Sequence, residues 1–121
     1  MSVKGFVLCK DRGLEFYLMN DPEKFYLKII KYCSFGIADV TVPIKNIVHT
    51  EDSEGNVKVI YSVCFGSFVA RIFVTFIGDS VEIDSELPFL SGETHSNFYD
   101  YKDAIEKVSE FSRLFWKNSC T

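Results

Sequence analysis

Alternation of apolar and polar residues is clearest in the middle of the chain, where it is typical of half-buried strands. The pattern predicts strands in three segments: VKVIYSVCF at 57–65, FVARIFVTFI at 68–77 and SVEIDSEL at 80–87. Gly66-Ser67 and Gly78-Asp79 are short enough to join them as hairpins, and a leading glycine suits the type II′ turn. We therefore predict a three-stranded antiparallel meander over 50–87, which begins at the acidic turn TEDSEGN.

The first half of the chain carries shorter extended segments. Residues 3–9 and 13–18 predict two strands joined by the charged turn KDRG. Residues 38–42 and 44–49 predict two more, interrupted by Pro43, which cannot donate a ladder hydrogen bond and so suits the edge of a sheet. These segments extend the predicted sheet toward the N-terminus.

Residues 22–34 fit two patterns. Asp21 is a good N-cap, Pro22 suits the first helical position and Gly36 would end the helix. Apolar residues follow at helical spacing: Phe25, Tyr26, Ile29, Ile30 and Cys33. FYLKIIKY is also rich in strand formers. We predict a second short helix here and keep a strand as the alternative.

The last element is a long amphipathic helix over about residues 98–117. Its apolar stripe comprises Tyr101, Ala104, Ile105, Val108, Phe111, Ser112, Phe115 and Trp116. Trp116 lies at the edge of the stripe, where it would anchor the helix end on the sheet margin. The predicted fold class is therefore α+β. It is a single domain over 1–121, in which an antiparallel meander carries this helix on one face together with the second short helix.

Hairpin geometry predicts where the carboxylates of GDSVEIDSELPF point. A two-residue turn at Gly78-Asp79 pairs Thr75 with Glu82, Phe73 with Asp84, and Arg71 with Glu86. The apolar alternate positions form the core face: Val74, Phe76, Val81 and Ile83. The opposite face is then polar and carries one aromatic side chain.

Charge along the chain is uneven. Residues 1–48 hold seven Lys/Arg against five Asp/Glu (+2), residues 49–100 hold two against nine (−7), and residues 101–121 hold four against three (+1). An acidic middle argues against nucleic acid as a direct partner. No apolar run approaches the ~20 residues of a membrane span, and the N-terminal apolar stretch is too short for a signal peptide. We expect a cytoplasmic protein without membrane contact.

Catalytic, metal and cofactor signatures are missing from the sequence. The four cysteines lack the close spacing of a zinc or redox site. Carboxylates two apart on a strand stand ~6.5–7 Å apart, which is wide for joint chelation. His95 has no visible nucleophile beside it, and neither GxSxG nor a glycine-rich phosphate loop occurs. We predict no enzymatic activity, no metal and no cofactor.

The acidic face has two interpretations. It is either a solvated sheet surface or a docking surface for a basic protein, in which charge speeds encounter and Phe73 supplies an anchor. The predicted protein-binding residues are Glu82, Asp84, Glu86, Phe73, Glu51, Asp52 and Glu54. The last three lie in the acidic turn, which would extend or flank the face.

In overall character the chain resembles the small cytosolic immunity proteins of bacterial toxin–immunity systems, including those of contact-dependent growth inhibition. TEDSEGN, VEIDSE and the closing helix YKDAIEKVSEFSRLFWK carry the resemblance. It implies an enzymatically inert monomer or weak dimer that covers the active site or substrate surface of a basic, nuclease-type cognate toxin. The chain is also similar to secretion chaperones, for which TVPIKNIV would supply an edge strand. A third class is a small ligand- or lipid-binding module similar to pleckstrin-homology domains, although the basic loop pair is missing.

Overall fold

Eight strands and one C-terminal helix make up the described part of the chain. The computed structural model describes residues 4–11, 14–21, 24–33, 36–78, 80–86, 92–95 and 101–119. The elements are β1 (Lys4–Asp11), β2 (Leu14–Asp21), β3 (Lys24–Cys33), β4 (Gly36–Glu51), β5 (Val57–Phe65), β6 (Phe68–Ile77), β7 (Ser80–Ser85), β8 (Gly92–His95) and α1 (Tyr101–Ser119). An α+β meander with a C-terminal helix is thus confirmed.

The sheet is a continuous antiparallel meander. Every strand pairs with the next one along the chain, in the order β1 to β8. β1 and β8 also contact each other, so that the sheet curls into a half-barrel. A curled sheet has an enclosed inner face and an outer face turned to solvent, and this difference positions the candidate site.

Strand β4 changes its pairing partner and its register midway. Its first half pairs with β3 up to Pro43, and its second half pairs with β5 from Ile44 onward. Pairing then steps from Ile44 to Asn46, so Lys45 is an extra residue, a β-bulge, which bends a strand. Buried positions accordingly shift from Val42 and Ile44 to Ile47. The predicted break at Pro43 is the point at which one continuous strand changes its partner from β3 to β5.

The second short helix predicted for residues 22–34 is wrong. The segment 24–33 is strand β3, paired on both sides with β2 and β4. Phe25, Leu27 and Ile29 are buried, whereas Tyr26 and Lys28 are half-buried, which is the alternation of a strand. The strand alternative of the sequence analysis is the one observed.

The hydrophobic core fills the space between the inner face of the sheet and α1. From the helix, Ala104, Val108, Phe111 and Phe115 are buried, and the rings of Phe111 and Phe115 pack edge-on against Phe25 at centroid distances of 5.5 and 5.4 Å. The sheet contributes the other buried apolar side chains: Phe16, Leu18, Phe25, Leu27, Ile29, Val42, Ile44, Ile47, Val59, Tyr61, Val63, Ala70, Ile72, Val74, Phe76, Val81 and Ile83.

Two further predictions concern element bounds. The two N-terminal strands are confirmed, with longer bounds than the pattern predicted, as β1 and β2. Beyond the predicted meander, Gly92–His95 forms β8 and pairs with β7. The described part of the predicted helix over 98–117 is confirmed as α1.

Candidate functional site

The β6–β7 hairpin has the predicted register. Thr75 pairs with Glu82 and Phe73 with Asp84. Glu86 lies just past β7, and its backbone N–H donates to the Arg71 carbonyl over 3.0 Å. Gly78 has φ +59°, as a primed turn requires at its first central position. The carboxylates of this hairpin therefore point away from the core, to the outer face.

Strands β4 and β5 complete that outer face. Val48 pairs with Ile60, and Ile60 pairs with Phe73, so an apolar row crosses three strands and ends at Asp84 on β7. Charged side chains lie in the rows on either side. We call this surface the outer patch: Val48, Lys58, Ile60, Arg71, Phe73, Glu82, Asp84 and Glu86. It lies on the face of the sheet opposite α1.

Lys58, Val48 and Ile60 are the members of the outer patch that the sequence analysis missed. The signal was available, since a two-residue turn at Gly66-Ser67 pairs Phe65 with Phe68. Counting back along both strands from that turn brings Lys58 opposite Thr75 and Ile60 opposite Phe73.

Glu86 is engaged within the molecule. Its Oε1 accepts the backbone N–H of Arg71 over 2.7 Å and the Nε–H over 3.1 Å, and its Oε2 accepts the Nη2–H over 3.2 Å. These hydrogen bonds from Arg71 lower the pKa of the Glu86 carboxyl. A carboxylate held this way keeps its charge, but a partner must compete with Arg71 to use it.

Phe73 is flanked by cations. Lys58 Nζ lies 5.3 Å from its ring centroid and Arg71 Cζ lies 5.6 Å from it. Both distances are within the range of cation–π attraction. We expected carboxylates around the ring, but cations border it as well as the carboxylate of Asp84, its partner on β7. Phe73 itself is half-buried.

Glu82 and Asp84 are the carboxylates that remain open to a partner. Both are exposed, and neither forms an ion pair with another residue in the described segments. The outer patch carries three carboxylates against two cations, a balance of −1. Its negative potential is therefore concentrated along β7 instead of covering the whole face.

The acidic turn flanks the outer patch. It lies at the same end of the sheet as the Gly78 turn, and Glu51 and Glu54 are exposed there. Because Thr50 shares a row with Lys58 on the outer face, alternation turns Glu51 toward the other face.

Asp52 holds the acidic turn together. Its Oδ1 accepts the backbone N–H groups of Glu54 and Asn56, each over 2.9 Å, and its Oδ2 accepts the Asn56 side-chain amide over 3.0 Å. The hydrogen bonds from Asn56 lower the pKa of Asp52. Asp52 thus has a local structural role in addition to its charge.

A second polar cluster joins α1 to β4. His49 Nε2 lies 2.7 Å from Ser112 Oγ, and the Ser112 hydroxyl donates to the Val108 carbonyl over 2.9 Å. Since that hydroxyl has one proton, Nε2–H of His49 must be the donor in the first bond. Ser112 is fully buried, so this pair positions the helix and does not offer a nucleophile.

Trp116 completes the same junction. Its indole N–H donates to the Ile47 carbonyl over 3.0 Å, and its ring lies 5.3 Å from that of His49. The prediction that Trp116 anchors the helix end on the sheet is confirmed.

Across the described ranges, three or more His, Cys, Asp or Glu side chains nowhere gather closely enough to hold a metal ion. No helix within those ranges has the length and apolar character needed to cross a membrane. Comparison with protein families, with curated proteins and with solved structures found no match to this chain.

Proposed function

We propose that the chain is a non-enzymatic protein-binding protein whose outer patch docks a basic protein. One observation carries the proposal: Glu82 and Asp84 stand exposed, without ion-pair partners in the described chain, beside the half-buried ring of Phe73. Exposed carboxylates accelerate the encounter with a cationic surface, and an aromatic ring at the centre of a patch supplies contact area once the partner has arrived.

The mixed charge of the outer patch narrows the kind of partner. A basic side chain placed over β7 meets Glu82 and Asp84, whereas the same side chain placed over Phe73 meets Lys58 and Arg71. The expected partner therefore brings its cations to the β7 side and an apolar or aromatic group to the row of Val48, Ile60 and Phe73. Such opposed charges set the register of a complex as well as its affinity.

The particular role we propose is immunity against a basic, nuclease-type toxin. A nuclease presents cations to bind phosphates, and a row of carboxylates can occupy those cations in place of the substrate. The sequence resemblance to immunity proteins and the acidic β7 support this role. In it, the protein covers the active site or substrate surface of the toxin and performs no chemistry.

The secretion-chaperone alternative uses TVPIKNIV as an edge strand. That segment lies in β4, where the residues up to Pro43 pair with β3 and those from Ile44 onward pair with β5, so each half is paired along one side. Light scattering gives a separate test, because a strict monomer at micromolar concentration is not expected of a dimeric chaperone.

Co-expression with a basic, nuclease-type toxin, should a gene beside this one encode such a protein, tests the proposal. Wild-type protein should restore growth of the toxin-producing cells, and the double variant Glu82→Lys/Asp84→Lys should lose that protection. With purified proteins, the double variant should associate at least about tenfold more slowly at low salt, and the difference should shrink as salt screens the charges.

A matched control separates the outer patch from the total charge of the protein. Glu106 and Glu110 are exposed on α1, so Glu106→Lys/Glu110→Lys makes the same charge change away from the outer patch. This control should protect as well as wild type. Full protection by Glu82→Lys/Asp84→Lys, or equal loss in both variants, would contradict the proposal.

A further inference from the structure

A pocket of about 400 Å³ opens between the start of β3, the bend of β4 and the end of α1. It is lined by Lys24, Phe25, Tyr26, Pro43, Ile44, Lys45, Phe115 and Asn118. None of these residues belongs to the outer patch. Its volume falls within the range that small-molecule sites of proteins occupy.

The pocket combines an apolar interior with a cationic rim. Phe25, Ile44 and Phe115 are buried core residues, and the two phenylalanine rings hold each other edge-on. Lys24 and Lys45 are both exposed and neither pairs with a carboxylate in the described segments. The described lining of the pocket includes no carboxylate, so the two ammonium groups are the charges that this lining carries.

The β4 bulge explains how Lys45 reaches this position. Regular alternation after Ile44 would pair Lys45 with β5, but the register passes directly from Ile44 to Asn46. A bulge residue is released from the ladder and its side chain is re-aimed. Here the re-aimed side chain is a lysine beside an apolar pocket, on the half of the chain whose charge balance is positive.

We propose that this pocket binds a small amphipathic organic anion, with its carboxylate or sulfonate group between Lys24 and Lys45 and its apolar body against Phe25 and Phe115. Two ammonium groups select an anionic head group. The aromatic interior excludes ions without an apolar body, because a bare inorganic anion would gain nothing from it. The site goes beyond the proposed docking function and does not depend on it.

Fluorescence titration with anilinonaphthalene sulfonate tests the site directly, since this probe has an anionic head and an aromatic body. Wild-type protein should bind it saturably at one site, and octanoate should displace it whereas octanol and inorganic phosphate should not. Lys24→Gln/Lys45→Gln should weaken binding by about tenfold or more. Lys102→Gln/Lys107→Gln removes the same charge from the exposed face of α1 and should bind like wild type.

A steric variant distinguishes the pocket from a merely cationic surface. Asn118 is exposed at the rim, so Asn118→Trp should fill the mouth and weaken binding without removing a charge. Near-ultraviolet circular dichroism should show that each variant keeps its native packing. Unchanged affinity in Lys24→Gln/Lys45→Gln, an equal loss in the α1 control, unchanged affinity in Asn118→Trp, or unsaturable binding would overturn the proposal.

Discussion

Alternate residues of β5, β6 and β7 form the two faces of the sheet, and the two faces differ in composition. On the inner face most positions are filled by buried, mostly apolar side chains, and the exceptions, Val57, Phe65 and Phe68, lie at strand ends. On the outer face an apolar row is bordered by cations and carboxylates that satisfy one another only in part. The inner face is determined by packing and therefore by the fold, whereas the outer face has charges left over, which a partner can use.

The largest expected effect separates the inner side of α1 from its solvent side. Phe111→Ala removes a buried ring that packs on Phe25 and should lower the free energy of unfolding by ~3–5 kcal/mol. Leu114→Ala, on the same helix but 40% exposed, should cost less than about 1 kcal/mol. Urea denaturation of both variants checks the contrast. Equal losses would mean that α1 does not pack through the stripe described above.

A buried hydroxyl offers a second test of the inner face. Ser112→Ala removes the acceptor of the His49 N–H, and leaving that half-buried donor unpaired should cost about 1–2 kcal/mol. Ser112→Thr, which keeps the hydroxyl, serves as the control and should retain more of the stability. If Ser112→Ala is as stable as wild type, the His49 bond does not hold the helix in place.

The same junction predicts a pH dependence. Burial lowers the pKa of His49, so the unfolded chain binds this proton more tightly than the folded one. The stability associated with neutral His49 is thus complete above the ordinary value of about 6.5 and is lost as pH falls through it toward the lower folded pKa. Denaturation midpoints from pH 8 to pH 5 should fall less steeply in His49→Gln than in wild type. Parallel curves would contradict the assignment.

Tyr61 provides a further test of the inner face, because its hydroxyl is a polar group among apolar side chains. It is fully buried, and its hydroxyl has no hydrogen-bond partner in the described part of the structure. Burial raises its pKa, so the hydroxyl stays neutral. Tyr61→Phe should therefore leave the free energy of unfolding unchanged or raise it by about 1 kcal/mol. A clear loss in thermal or urea denaturation would reveal a bond to that hydroxyl.

The smallest effect belongs to the outer face. Glu86→Gln removes the charge from an exposed pair with Arg71, and such pairs add little to stability. Because the folded pKa of Glu86 is lowered, its small contribution is present above the ordinary carboxyl pKa and is lost as pH falls through the folded value. Denaturation at pH 7 should barely distinguish the variant from wild type. A large loss in the free energy of unfolding would contradict this and show that the Arg71–Glu86 pair contributes substantially to stability.

Sequence alone predicted the meander of β5 to β7 because two short turns and strict alternation fix both register and face. It did not resolve β3, where Phe25 and Ile29 satisfy a helical period and a strand period equally, so that pairing with β2 and β4 decides between them. The bulge at Lys45 could not be predicted either, because its only trace in the sequence is one extra residue in the alternation between the buried Ile44 and Ile47.

For the outer patch, the sequence predicted the direction of the carboxylates and the pairing of Arg71 with Glu86, but not the cations beside Phe73. The hairpin register gave the outward direction of Glu82, Asp84 and Glu86 from counting alone. The pairing of Arg71 with Glu86 followed from the same register, whereas the positions of the Lys58 and Arg71 cations beside the Phe73 ring depend on side-chain conformations, which periodicity does not specify. Asp52 was predicted only as a protein-binding residue, although its oxygens also hold the acidic turn together.

Hydroxyl-radical footprinting of a complex with the proposed basic toxin tests the docking face most directly. Phe73 on the outer face and Trp116 on the α1 side are both oxidisable aromatic side chains, so each complex contains its own control. We predict that binding of the toxin protects Phe73 from oxidation and leaves Trp116 as reactive as in the free protein. Protection of Trp116 with no change at Phe73 would place the partner on the other side of the molecule and contradict the account.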